Sequence, residues 1–565
     1  LIKNVLLLLL TVPCFLFSSA QPKAIGPCFN PESLVDAFRE RIETGYAPQG
    51  WKSETFGWDL DVEVKKVKAA LRSCETVPEM STAFAGFFNG MRDYHVRIIF
   101  ADDDSYSYLP LMAKTVNGKT FITHVFREIV TEDECPVQVG DQLLTFDGKP
   151  VAEVLKEITE ISTPNSNPAT DGSFADTTLL LRIGAFGHPT KEGKVSLTYL
   201  SKDSNETESL ELEWEHSACK LPYFGSKKSG ILSSCPLFNR NSMNHQMTSN
   251  WAVVDPRKKM MGGTPLPNSI GSQHSLLPSL GEILWEERDS QHFQAYIYRH
   301  PSGKKVGFLR IPTFWFEEET AAEEAFALID KMEQNADCLV IDQMNNGGGN
   351  AFFLYSLLSK LVTETTQAPR HRFVIDYELI TTARQFEEYL SDERNVTDLL
   401  EELSSYGYAD ENVMLDNIQN WVAFVKEEWE RGHSLSDPFY LYIGDSIQPN
   451  PKGGFTKPLL VLINELDFSC ADFFPAILQD CGRATLMGSR TSGAGGYVTG
   501  QAIGTQMGTI GFTLTGSIAE RPSGEPIENL GVMPDIEYQL TEQDLQEGYR
   551  PFAEAVNQAV EQLLK

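Results

Sequence analysis

The chain has 565 residues, and 78 Asp plus Glu against 47 Lys plus Arg give it a formal charge of -31. A surface this acidic repels nucleic acid and anionic membranes, which argues against both as partners. Hydrophobic residues make up 41% of the chain and aromatic ones 10%, ample core for a globular protein of about three or four domains.

Residues 1–20 read as a secretory signal peptide: Lys3 gives a positive start, residues 5–17 are apolar, and Ser18-Ser19-Ala20 is a small-residue cleavage site. That apolar stretch is short for a membrane span. Eight cysteines follow it: Cys28, Cys74, Cys135, Cys219, Cys235, Cys338, Cys470 and Cys481. They show neither C-x-x-C nor zinc spacing, and an exported chain permits disulfides whose pairing the spacing does not fix. No metal site or cofactor is expected.

From about 31 to 100 the pattern is mainly helical, with an apolar face over Ser81 to Phe88 and a stop at Gly90. Asp93-Tyr94-His95-Val96-Arg97-Ile98 then enters a strand, His95 and Arg97 facing one way and Val96 and Ile98 the other. Residues 106–215 read as a small β-rich module. Its Gly140-Asp141 turn and Asp147-Gly148 hairpin turn resemble the turn signature of PDZ domains, which take extended peptides along a sheet edge. From about 225 to 280 Ser, Asn, Gly, Pro and Met dominate and periodicity fades, as in a long surface segment open to proteases.

Periodicity returns at Val306 to Pro312, a strand, followed by a helix over about 317–334. A buried strand over Cys338 to Asp342 runs into Asn345-Asn346-Gly347-Gly348-Gly349 and another helix. Repeated strand–helix–strand units imply a mostly parallel sheet. The glycine turn lacks the Lys-Ser/Thr of a P-loop and the G-x-G-x-x-G spacing, so a nucleotide site is discounted; its glycines let backbone N–H groups approach a substrate. Residues 384–432 are acidic with a helical period, an expected helical insertion over the core. A last helix is expected over about 541–564.

The centre of this organisation is 459–474. Leu459-Leu460-Val461-Leu462-Ile463 reads as a strand buried on both faces, and a helix can begin at Cys470. Ser469 therefore lies where a strand gives way to a helix, a position that exposes a hydroxyl beside free N–H groups, as a serine nucleophile requires. Taken alone, Ser469 with Asp472 is also an ordinary helix-capping pattern. Cys470 could be read as a thiol nucleophile, a role held improbable beside the serine.

Together the pieces resemble the tail-specific, or C-terminal-processing, serine protease superfamily: the helical start, the PDZ-like module, the Asn345-Asn346-Gly347-Gly348 turn and the Ser469 turn. Many members use a Ser-Lys dyad. Here the matching stretch is Ser492-Gly493-Ala494-Gly495, and Ala494 stands where that lysine would be, which excludes the dyad at that position. The closer resemblance is to a branch with a Ser-His-Glu triad, through Tyr46-Ala47-Pro48, Trp51-Lys52, Gly57-Trp58-Asp59-Leu60, Asp93-Tyr94-His95 and Ile527-Glu528-Asn529.

What that resemblance implies is a multidomain α/β fold: an N-terminal helical region, a PDZ-like β module and a ClpP/crotonase-like β/α catalytic core with a helical insertion. The expected division is 21–105 helical, 106–225 PDZ-like, 226–281 inhibitory and self-cleaved, and 282–565 catalytic with the 384–432 insertion. It implies Ser469 as nucleophile, His95 as general base, Glu528 as the orienting carboxylate, and the N–H groups of Gly348 and Cys470 as oxyanion donors. It further implies a secreted zymogen, protein substrates from a host cell, delivery into the host cytosol, and a homodimer after activation. A tail-trimming envelope peptidase and a non-catalytic ligand-binding protein on the same fold are the alternatives.

Overall fold

The computed structural model describes residues 30–217, 269–316, 320–505 and 508–565. The expected signal peptide and most of the 226–281 segment lie outside the described residues.

Four helices open the described chain: Pro31–Gly45, Gln49–Phe56, Leu60–Leu71 and Val77–Asn89. Asn30, Asp59 and Thr76 cap three of them by accepting from the N–H of Glu32, Val62 and Glu79, and Thr76 and Glu79 complete a capping box. Their apolar faces bring Phe38, Ile42, Phe84 and Phe88 into one core with Phe512 from the far end of the chain. The Phe38 and Phe512 rings lie 5.2 Å apart. Strand Arg97–Phe100 pairs antiparallel with strand Gly508–Thr515, Arg97 opposite Thr513. The N-terminal helices are thus built onto a hairpin that belongs to the C-terminal half.

The next module is a six-stranded antiparallel sheet with strand Leu111–Val116 at one edge. Its Asp147-Gly148 turn has φ of 50° and 74°, the double left-handed pattern of a tight hairpin turn, joining Phe146 to Lys149. Helices Val151–Ser162 and Pro168–Leu180 cover it.

The central sheet has seven strands in the order Glu282–Glu286, Gln294–Arg299, Lys305–Arg310, Cys338–Asp342, Leu459–Ile463, Thr485–Gly488 and Ile536–Glu537. The first two pairings are antiparallel and the remaining four parallel. Alternation sorts its side chains. Leu339, Ile341, Leu459, Val461 and Ile463 join a core under helices Thr320–Asn335, Ala351–Ser359 and Cys470–Asp480. Val340, Leu460, Leu462 and Met487 face helix Arg550–Leu563. A strand buried on both faces has to be apolar throughout, and 459–463 is.

Two expectations shift. The helical insertion begins at Tyr377, because Asp376 caps that helix by accepting from Leu379 N–H at 2.8 Å; it runs on through Glu393–Tyr406 and Glu411–Arg431. The single last helix is two, Glu542–Gln546 and Arg550–Leu563, separated where Gly548 and Tyr549 both have φ of 62°. Pro551 has no N–H to continue a helix entered from upstream, so the chain turns and restarts with proline in its first turn.

Candidate active site

Three loops leave the C-terminal ends of adjacent parallel strands: 343–350, 464–469 and 489–496. In sheets of this kind that end is where ligands bind. Ser469 sits on the second loop with φ of 57° and ψ of -117°, a conformation costly for a side chain bearing a Cβ. It is held by its surroundings. The buried Asp472 carboxylate accepts from the N–H of Ser469 (3.0 Å), Gly493 (2.9 Å) and Ala494 (3.0 Å) and from the hydroxyl of Thr491 (2.5 Å). Burial pushes the Asp472 carboxyl up to about 6, against the pull of these donors. The capping pattern read in the sequence is therefore present, and it braces the turn.

The glycine turn lies directly against the serine. A Cβ on Gly348, whose φ is 85°, would fall 2.8 Å from Ser469 Cβ and 2.6 Å from the Phe468 carbonyl oxygen. The Gly348 N–H donates to Asn346 Oδ1 at 2.8 Å, so in this structure it is committed there. The Cys470 thiol is buried, donates to the Gly349 carbonyl at 3.2 Å, and is pushed up to about 12 by burial. Such a thiol is no nucleophile near neutral pH.

His95 arrives from the other side. Tyr94 and Phe468, the residues before His95 and Ser469, meet edge to face with centroids 5.7 Å apart. Ala494, where related enzymes carry lysine, is fully buried in the same apolar cluster with Phe174 and Ile270. The His95 carbonyl accepts from Thr513 Oγ1 at 2.6 Å, and its N–H donates to Asp93 Oδ1 at 2.8 Å. Asp93 is itself fixed by the hydroxyls of Tyr46 (3.0 Å) and Thr515 (2.7 Å). Burial lowers the imidazole to about 4, helped by Arg97 and Lys52 and opposed by Asp93, so the ring is neutral and able to accept a proton at pH 7.

Glu528 is wholly buried. It accepts from Gly495 N–H at 3.1 Å and forms an ion pair with Lys52. Burial, then the Asp93 carboxylate, raise its carboxyl to about 8, while Lys52 and the Gly495 N–H pull it down. Lys52 Nζ also donates to the Arg92 carbonyl at 2.8 Å, which ties the Glu528 pair to the backbone leading to His95. Among the described residues no hydrogen bond joins His95 to Ser469 or Glu528, and His95 Nδ1 is buried without a partner. Catalytic hydrogen bonds are commonly loose until substrate binds.

Reasoning from sequence singled out neither Lys52, Asp93 nor Asp472 as part of the site. Trp51-Lys52 and Asp93-Tyr94 stood in the stretches that carried the family resemblance, and an aspartate three residues after the serine was a visible signal.

The matching family models are a PDZ domain over residues 105–221 and peptidase family S41 over residues 305–538. A Chlamydia pneumoniae protein is 32% identical over 566 residues, covering 93% of this chain and 89% of the relative. A Chlamydia trachomatis protein is 30% identical, covering 99% and 96%. The crystal structure of mature CPAF superposes with a TM-score of 0.80 at 28% identity, covering 95% of this chain and 97% of that one. The chain belongs to the S41 family of serine-type peptidases. Within that family it is a CPAF-like tail-specific protease, with the multidomain α/β fold that the sequence led one to expect. Its substrates are accordingly proteins or peptides, and no described helix is long and apolar enough to cross a membrane.

Proposed function

We propose that the chain is a secreted endopeptidase made as a self-activating zymogen, with Ser469 as nucleophile, His95 as general base and Glu528 as orienting carboxylate. The observation that carries this is the strained Ser469 turn, braced by Asp472 and faced by the glycine turn, with Tyr94, the residue before His95, packed on Phe468, the residue before Ser469. Neutral imidazole takes the Ser469 proton as Oγ attacks the peptide carbonyl; the same proton then goes to the leaving amine. Glu528 stabilises the imidazolium that forms between these steps. Oxyanion stabilisation falls to the N–H of Cys470 and of Gly348, the latter sharing or releasing its Asn346 bond as negative charge develops.

Inhibition by 226–281 finds support at the end of that segment which the structure describes. Ile270 is buried against the cluster of Tyr94, Phe174, Phe468 and Ala494, and Gly271 N–H donates to the Asn345 carbonyl at 2.8 Å. Chain entering the catalytic loops just there is positioned to obstruct them. The proposal extends to host-cell proteins as substrates, delivery into the host cytosol and a homodimer after activation, on the likeness to CPAF and to chlamydial relatives.

A tail-trimming role draws on two short matches, 35% identity over 96 residues to a carboxy-terminal-processing protease of Bartonella bacilliformis and 33% over 91 residues to one of Synechocystis. Against it stands the edge of the PDZ-like sheet. The Thr115 N–H on edge strand Leu111–Val116 already donates to Asp176 at 2.7 Å, where a tail would have to pair.

Intact-mass and N-terminal analysis over time tests the proposal, on the chain from Gln21 beside Ser469→Ala. Cleavage within 226–281 in the unmodified chain alone is expected. Equal cleavage of both would point to a contaminating protease, and two folded but uncut chains would favour a binding protein.

A further inference from the structure

Lys52 is a lysine with no exposed surface. It sits in helix Gln49–Phe56, far in sequence from every catalytic loop. Its three ammonium hydrogens have three acceptors: Glu528 Oε1, Asn529 Oδ1 at 2.7 Å and the Arg92 carbonyl at 2.8 Å. An ammonium so occupied offers no lone pair, so Lys52 is not a displaced version of the dyad lysine. Asn529, at φ of 63°, accepts also from Trp51 Nε1 at 3.0 Å and donates to the Arg92 carbonyl at 2.7 Å. One cation thus ties the Glu528 turn to the residue that opens Arg92-Asp93-Tyr94-His95.

We infer that Lys52 is a positioning residue for the triad, fixing Glu528 and the backbone that leads to His95 in one geometry. The inference rests on the proposed role of Glu528. The groups facing that carboxylate are Lys52 from its helix, Tyr46 from the end of the first helix, Asp93 from the strand entry, and Gly495 N–H from the loop opposite. Asp93 and the low-polarity surroundings disfavour negative charge on Glu528. Lys52 is the cation among these neighbours that favours it. Removing an opposite charge at such range raises a carboxyl by about one to three pH units.

The test is the pH profile of kcat/KM between pH 6 and 10 on dye-labelled casein, using the self-processed wild-type chain beside Lys52→Met, Lys52→Gln, Glu528→Gln and the Lys52→Met/Glu528→Gln pair, each variant processed by tagged wild-type enzyme that is then removed. Wild-type activity rises with pH as Glu528 ionises. In Lys52→Met the rising limb moves up by about one to three units, so the loss is large at pH 7 and shrinks by pH 10. Lys52→Gln keeps an N–H donor without the charge and shows the same shift, which judges the case if the methionine variant does not fold. In the Glu528→Gln background Lys52→Met changes little, because the group it acts through is gone. A loss equal at all pH values in folded Lys52 variants, with Glu528→Gln still inactive, overturns the inference and leaves the triad standing. Wild-type activity in Glu528→Gln would instead overturn the triad assignment itself.

Discussion

Two of the lysine–glutamate pairs that cross module boundaries end close to the Ser469 loop or on the Glu528 turn. Lys114, on the PDZ-like edge strand, donates to Glu465 at 2.5 Å; Lys52, on an N-terminal helix, pairs with Glu528. The carboxylates respond in opposite directions. Glu465 is desolvated too, but Lys114 and the hydroxyls of Ser173 and Ser489, both at 2.9 Å, hold it at about 2. Glu528 has Lys52 and one N–H, with Asp93 nearby adding repulsion, and rises to about 8. The first carboxylate is saturated with donors and serves as a clamp. The second is left partly unsatisfied, the spare capacity that the proposed role of answering a forming imidazolium calls for.

The comparison can be broken by neutralising each glutamate in turn. Glu528→Gln is expected to lower kcat/KM by about 10³ to 10⁴ with the chain still folded, by analogy with losing the carboxylate of any such triad. Glu465→Gln strands Lys114 in a mostly buried site and should cost about 3 kcal/mol of stability, while each folded molecule keeps most of its activity. Urea unfolding beside casein hydrolysis separates the two outcomes; a reversal would exchange their roles.

A second prediction concerns the backbone. Gly348→Ala places a methyl against Ser469 Cβ and the Phe468 carbonyl at a φ that disfavours alanine. The expected loss is about 10²- to 10³-fold in kcat with KM little changed, since oxyanion donors act in the transition state. The smallest effect is expected at Cys470. With its thiol held far up the scale, iodoacetamide at pH 7.5 should leave activity intact, and Cys470→Ala should alter kcat by less than about threefold.

The Ser469 turn was legible because its signals are local. An unbroken apolar run, a polar turn and a capping aspartate fall within seventeen residues, 458–474, and the structure keeps each of them. The helix break at Gly548 was legible in the same way, since Pro551 announces it, yet the apolar period across 541–564 drew the two helices together as one. Lys52 was not legible. Gln49–Phe56 has the polar look of a solvent-facing helix, and only tertiary contact with Arg92, Glu528 and Asn529 makes its lysine internal. His95 lies between these cases. Its chemistry suggests a base, but its place in the molecule depends on strand Arg97–Phe100 pairing with Gly508–Thr515, a contact between distant parts of the chain. Local pattern carries the turn; only the fold could bring together the proposed triad.

The most direct test of the triad is labelling with a fluorophosphonate, followed by intact-mass analysis and peptide mapping of the self-processed chain and of Ser469→Ala, with His95→Asn processed by added wild-type enzyme. One adduct, on Ser469, is expected in the wild type, none in Ser469→Ala, and labelling reduced to background in His95→Asn. An adduct on another residue, or His95→Asn labelled as fast as the wild type, would contradict the account.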